Sequence, residues 1–107
     1  MPTIEFAQVR NQVPMEQVLA LLNFVPTSRR GPCLRGSCPI HRSANPRSRS
    51  FWVDLSTHRY RCFHCRSAGR QIDLWAAVHN LPAYAAAEDL CNRLGIPVPW
   101  LPSAKPL

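Results

Sequence analysis

Two short segments carry the chemistry of this chain: Cys38-Pro39-Ile40-His41 and Cys62-Phe63-His64-Cys65. Each holds two metal donors with two residues between them, and twenty residues separate the segments. Zinc takes four ligands in a tetrahedron, from thiolate sulfur at ~2.3 Å and imidazole nitrogen at ~2.0 Å. A tight turn with this spacing aims both of its donors at one ion. Cys38, His41, Cys62 and Cys65 are therefore the candidate ligands of one structural Zn2+. Four protein ligands leave no position for a reacting water, so the spacing argues for a non-catalytic metal. Cys62 and Cys65 as a redox pair would want a βαβ context, which the flanks do not offer. Cys33 could join Cys38 in an all-cysteine site without His41, though at wider spacing. Cys91 falls on the apolar side of a helical pattern and reads as a small core residue.

The segments need elements to hold them. After residues 1–12, which show no clear pattern, Val13-Pro14 opens a helix whose Met15, Val18, Leu19 and Leu22 form one stripe. Residues 27–37 read as a polar loop entering a short strand at Leu34–Ser37. Arg42–Ser50 is a loop by composition. Phe51–Leu55 and His58–Arg61, joined by Ser56-Thr57, form a hairpin that delivers the second segment. Alternation along it puts Phe51 inward and Trp52 outward, with Arg59 and Arg61 on one face. After Gly69, Ile72, Trp75, Ala76 and His79 share a helical face. A second helix follows Pro82, with Ala86, Ala87, Leu90, Cys91 and Leu94 on one side and Gly95 as its stop. His58 reads as surface. These patterns divide the chain into an extension (1–12), one domain (13–96) and a Pro-rich tail (97–107).

Charge points to the partner. The formal net charge is +7, and twelve of the thirteen basic residues are arginine. Ten of these lie between Arg29 and Arg70, where Asp54 is the only acid. Zinc on three thiolates and a neutral imidazole leaves about +6. Arginine's planar fork donates in pairs to phosphate, so this field suits nucleic acid better than a merely soluble surface. The candidate contacts are Arg47, Arg49, Trp52, Arg59, Arg61, His64, Arg66 and Arg70. Cations beside rings suit single strands, whose phosphates are neutralised while bases stack. No apolar run is long enough to span a membrane and no signal segment opens the chain, so a cytoplasmic setting is expected.

From about Val13 to Ile96 the chain resembles the CHC2 zinc-binding domain of bacterial and phage DnaG-type primases. The resemblance rests on Arg35-Gly36-Ser37-Cys38-Pro39-Ile40-His41, Ser50-Phe51-Trp52-Val53, Tyr60-Arg61-Cys62-Phe63-His64-Cys65, Ala68-Gly69 with Ile72-Asp73-Leu74, and Leu90-Cys91-Asn92-Arg93-Leu94-Gly95-Ile96. It implies a small α+β fold, a zinc ribbon on a short antiparallel sheet with flanking N- and C-terminal helices. It also implies binding to single-stranded template, in a bacterial or phage-infected cell and at the nucleoid when DNA is bound. Two segments depart from the family. The loop Arg42–Phe51 is longer and arginine-rich, and Gly69-Arg70-Gln71 replaces an acidic helix start. A Toprim-type domain with clustered carboxylates carries primase catalysis, and the six acids here are scattered.

The expectation is therefore a stand-alone, non-enzymatic zinc finger that binds DNA, with single strands favoured. It would act as an accessory or targeting subunit of a separate replication, primase, transposition or other mobile-element enzyme. The alternatives are a protein-interaction module, or the zinc subunit of a split primase that docks onto a polymerase, helicase or transposase.

Overall fold

The computed structural model describes residues 4–40 and 49–100. It is a small α+β fold. Helices α1 (Phe6–Gln12) and α2 (Met15–Leu21) precede five strands, β1 (Ser28–Arg30), β2 (Cys33–Gly36), β3 (Phe51–Asp54), β4 (Arg59–Cys62) and β5 (Ala68–Gly69). Helices α3 (Gln71–His79) and α4 (Ala83–Leu94) follow. The strands pair antiparallel in chain order, β1-β2-β3-β4-β5.

Alternation sorts the sheet into two faces. Leu34, Val53 and Tyr60 lie in one inward row, and Gly36, Phe51 and Cys62 in the next. Leu34, Phe51, Val53, Tyr60 and Cys62 are buried. Phe51 anchors this face, edge-on to Phe24 at 5.3 Å and stacked on Tyr60 at 5.8 Å. Burial of one such ring stabilises by roughly 1.5–3 kcal/mol. Gly36 is required here, because a Cβ would stand 2.8 Å from the Phe24 ring.

The helices bury more than one stripe. Gln71, Ile72, Leu74 and Trp75 of α3 are all buried, a wider arc than the Ile72–Trp75–Ala76–His79 face read from spacing. The helix packs against α2, α4 and the sheet at once, so Leu74 finds a second neighbour. In α4 the buried residues are Ala86, Ala87, Leu90 and Cys91, as the spacing indicates. Gly95 ends it in the left-handed region at φ 69°.

The structure corrects two expectations. The segment 1–12 is not patternless: Phe6 and the buried Val9 and Val13 recur at i, i+3 and i+7 in and just after α1. Its Gln, Arg and Asn residues dilute that signal in composition. The described part of the tail runs extended beside the N-terminal segment: Trp100 bridges Ile4, and Glu5 N–H donates to Pro99 O at 2.8 Å. Ile4 enters the core at 2% exposure, while Trp100 stays exposed. His58 is not simple surface. It sits at φ 57° in the β3–β4 turn, and its Nδ1 accepts the Met15 N–H at 3.1 Å, satisfying a donor that Pro14 cannot cap.

The acidic helix start that Gly69-Arg70-Gln71 lacks is supplied one turn later. Asp73 Oδ2 accepts the Arg70 N–H at 2.9 Å. Gly69 makes this possible, because at its φ of 155° a Cβ would meet Asp73 at 2.6 Å.

A polar clamp joins α3 to α4. Trp75 Nε1 donates to Asp89 Oδ2 at 2.8 Å, and Arg93 Nε donates to the same oxygen at 3.1 Å. The indole donation, and then Arg93, hold the Asp89 carboxyl below its ordinary value. Its contribution to stability is therefore present above the unfolded pKa, about 3.9, and is lost as pH falls through the lowered folded value. We expect Asp89→Asn to melt below the parent at pH 7. The gap should shrink as both proteins are taken below about pH 4, followed by circular dichroism.

Candidate metal centre and nucleic-acid face

β2 runs into the first donor segment and β4 into the second, so the sheet register sets the metal site. Gly36 is opposite Phe51, and Phe51 is opposite Cys62. The chain therefore leaves β2 and β4 at the same end of the sheet. There the sulfurs of Cys38, Cys62 and Cys65 lie within 4.8 Å of one another. Cys38 and Cys62 are buried, and Cys65 is exposed.

The geometry is that of a metal site and not of a disulfide. Cys38 Sγ and Cys65 Sγ are 3.9 Å apart. The edge of a tetrahedron with Zn–S bonds of ~2.3 Å is about 3.8 Å, whereas a disulfide needs ~2.05 Å. Backbone amides turn toward the sulfurs. Ile40 N–H donates to Cys38 Sγ at 3.3 Å, and Cys65 N–H to Cys62 Sγ at 3.4 Å. Burial opposes ionisation of Cys62, but N–H donation from Cys65 and His64 outweighs it and lowers the thiol's pKa. Such donors favour the thiolate, which is the ligating form. Soft sulfur donors in a compact group fit one structural zinc ion.

His41 and Arg47 lie outside the described residues. Cys33 does not approach the cluster. It pairs with Asp54, three rungs along the ladder from Gly36 and Phe51, or about 10 Å. Cys91 is buried in α4, where its apolar setting pushes the thiol up.

The outward face of the sheet collects the arginines. One row across it reads Ser28, Arg35, Trp52, Arg61 and Ala68. The next reads Arg30, Cys33, Asp54 and Arg59. Beyond β4 the ladder continues, since Phe63 N–H donates to Ser50 O at 2.8 Å. Phe63 thus falls on the same face as Arg59 and Arg61 and is 53% exposed. The guanidinium carbons of Arg35 and Arg61 stand 5.3 and 5.2 Å from its ring centroid. An exposed ring with two cations beside it offers aromatic surface bordered by phosphate donors.

Among the described residues the one salt bridge is Arg93–Asp89, so no ion pair engages the arginines of this face. Asp54, the acid on it, is tied into its own turn. Its Oδ1 accepts from Ser56 Oγ at 2.6 Å and Ser56 N at 2.9 Å, contacts that hold the carboxyl below its ordinary range.

Of the residues read from the sequence, Trp52, Arg59 and Arg61 come together here, with Phe51 turned in and Trp52 half-buried and turned out. Arg49 joins them from the side, its Nη2 donating to Ser28 Oγ at 3.2 Å and its carbonyl accepting from Arg35 Nε at 3.1 Å. His64 and Arg66 are exposed in the turn that holds Cys65, Arg66 at φ 64°. Arg70, the N-cap of α3, lines a hollow together with Arg10 of α1. Arg30 and Arg35 are members of the face that spacing did not reveal. The signal for Arg35 is weak alternation with Cys33, and only the β2–β3 register places it beside Trp52.

The chain matches the CHC2 zinc finger family over residues 2–105. It is 29% identical over 89 residues to a DNA primase of Thermotoga maritima, covering 83% of this chain and 15% of that protein. Its fold superimposes with a TM-score of 0.70 and 23% identity on a crystal structure of the Aquifex aeolicus primase comprising zinc binding and RNA polymerase domains. That match covers 90% of this chain and 23% of the other. The chain therefore spans less than a quarter of each of these primases. Over that span, sulfur cluster, sheet and sequence agree, and the chain belongs to the CHC2 zinc finger family of DnaG-type primases.

Proposed function

We propose that this zinc finger binds nucleic acid, single-stranded DNA foremost, across the outward face of its sheet. The observation that carries the reading is Phe63, exposed between Arg35 and Arg61 on a face with no neutralising ion pair among the described residues. Zinc, held by Cys38, Cys62, Cys65 and His41, pins the ends of β2 and β4 and so fixes this face. Arg35, Arg49, Arg59 and Arg61 take phosphates, and Trp52 and Phe63 take bases. His64 and Arg66 extend the contact over the second donor segment, and Arg47 is a further candidate phosphate contact. The role is recognition without catalysis. The module presents a strand to a separate replication or mobile-element enzyme, which performs the chemistry.

Fluorescence anisotropy of the zinc-loaded protein with labelled single-stranded and duplex DNA of equal length tests this. Binding should favour the single strand and weaken steeply between two salt concentrations, as counterion release requires. Absence of binding to either form at low salt rejects the reading and assigns the face to a protein partner.

A further inference from the structure

On the strand-binding reading of the sheet face, we propose that Arg49 and Ser50, just before β3, position its central cation and ring, and that Ser28 of β1 anchors them. Two successive carbonyls do the positioning. Arg49 O accepts from Nε and Nη2 of Arg35, at 3.1 and 2.5 Å. Ser50 O accepts the Phe63 N–H at 2.8 Å. The same Arg35 guanidinium stands 5.3 Å from the Phe63 ring centroid. Arg35 lies on β2 and Phe63 follows β4, two strands that are not neighbours in the sheet. One dipeptide at the entry to β3 therefore ties cation and ring together.

The dipeptide is itself held. Arg49 Nη2 donates to Ser28 Oγ at 3.2 Å. Ser28 is directly opposite Arg35 in the β1–β2 ladder, so the contacts close a ring of three residues. Thr27 secures the backbone of Arg35, its N–H and Oγ1 donating to Arg35 O at 2.8 and 3.2 Å. Hydrogen bonds from a charged donor are stronger than neutral ones, which favours arginine at both links.

The arrangement leaves Arg35 ready for a phosphate. The guanidinium edge formed by Nε and Nη2 is spent on Arg49 O. The edge that ends in Nη1 makes no hydrogen bond among the described residues, and it keeps the paired donors that match phosphate oxygens. A free arginine loses rotamer freedom when it meets a ligand, and fixing it beforehand removes part of that cost. Ser28 is a positioning residue in this scheme. It acts through Arg49 and Arg35 and does not touch the strand.

The test is a double-mutant cycle on the zinc-loaded protein, read by anisotropy with labelled single-stranded DNA. The members are the parent, Ser28→Ala, Arg35→Gln and the pair. Ser28→Ala should weaken binding by about 3-fold, the low end for one hydrogen bond, with zinc content and melting unchanged. It should have no further effect in the Arg35→Gln background, because the two side chains act as one unit. Ser28→Thr keeps the hydroxyl and should bind as the parent does. NMR of the free protein supplies a readout without any strand. The Arg35 Nε–H should exchange with water more slowly than that of the exposed Arg59, and Ser28→Ala should speed it. A parent that binds no strand overturns the strand reading of the face. A parent whose binding falls in Arg35→Gln but holds in Ser28→Ala overturns the positioning role alone. Equal losses from Ser28→Ala in both backgrounds also overturn it, since Ser28 would then touch the strand itself. An Arg35 Nε–H that exchanges as fast as that of Arg59 in the parent overturns it without reference to a ligand.

Discussion

Cys62→Ser is expected to unfold the domain. Cys62 is fully buried at the end of β4, and its sulfur lies with Cys38 and Cys65 where the strand ends meet. Serine supplies no thiolate, and a three-donor remnant holds zinc weakly. Apparent zinc-binding free energies in such sites are about 10–16 kcal/mol, and binding is coupled to folding. Small domains have net stabilities of only about 5–15 kcal/mol, so loss of the ion exceeds what this core supplies. Chelation should act like the substitution. Metal analysis and thermal melts by circular dichroism check both. Cys33→Ser is the matched control, since Cys33 is about three rungs from the cluster, and it should shift stability by less than ~1 kcal/mol. Full zinc content and an unchanged melt in Cys62→Ser would remove Cys62 from the ligand set. His41→Ala tests the fourth ligand, and a loss of zinc equal to that of Cys62→Ser is expected.

The second large effect is on the face proposed to bind a strand. Arg35→Glu with Arg61→Glu replaces both cations beside Phe63 with anions. For a single strand, each phosphate left without its arginine should lower the slope of log K against log salt by about 0.7, so the pair should lower it by about 1.4. Repulsion adds to that weakening, and an affinity drop on the order of 100-fold at low salt is expected. Phe63→Ala separates stacking from charge. It should cost roughly 1–3 kcal/mol, or about 5- to 150-fold, with the salt slope unchanged. Both sets of side chains point away from the core, so zinc content and melting should hold. Parental affinity in the folded double variant would move the contact surface elsewhere.

The two results are linked through the register. Cys62 points inward to the sulfur cluster while its neighbours Arg61 and Phe63 point outward to the binding face. One strand thus carries ligand and contact on opposite sides. Loss of zinc should abolish strand binding by freeing the ends of β2 and β4, even though no ligand touches the strand itself.

Much of this was legible in the residues alone. Donor spacing at Cys62–Cys65 is a local property, because two sulfurs in one tight turn are brought together by four residues of backbone. Alternation in Phe51–Asp54 and Arg59–Cys62 is local too, and it put Phe51 inward and Arg59 and Arg61 on one side. The helical stripe of α4 and its stop at Gly95 follow from a period and a backbone angle within one segment.

The meeting of distant segments was decided only by the tertiary structure. Arg35 joins Trp52 and Arg61 because β2 pairs with β3 in one register; a one-residue slip would have turned it inward. Cys33 is kept from the cluster by the same ladder. Gln71 is polar and would read as solvent-facing, yet it is buried because the end of α1 offers it two carbonyls. In each case the deciding partner lies ten or more residues away, at a distance where composition and periodicity carry no information about which segment will be the neighbour.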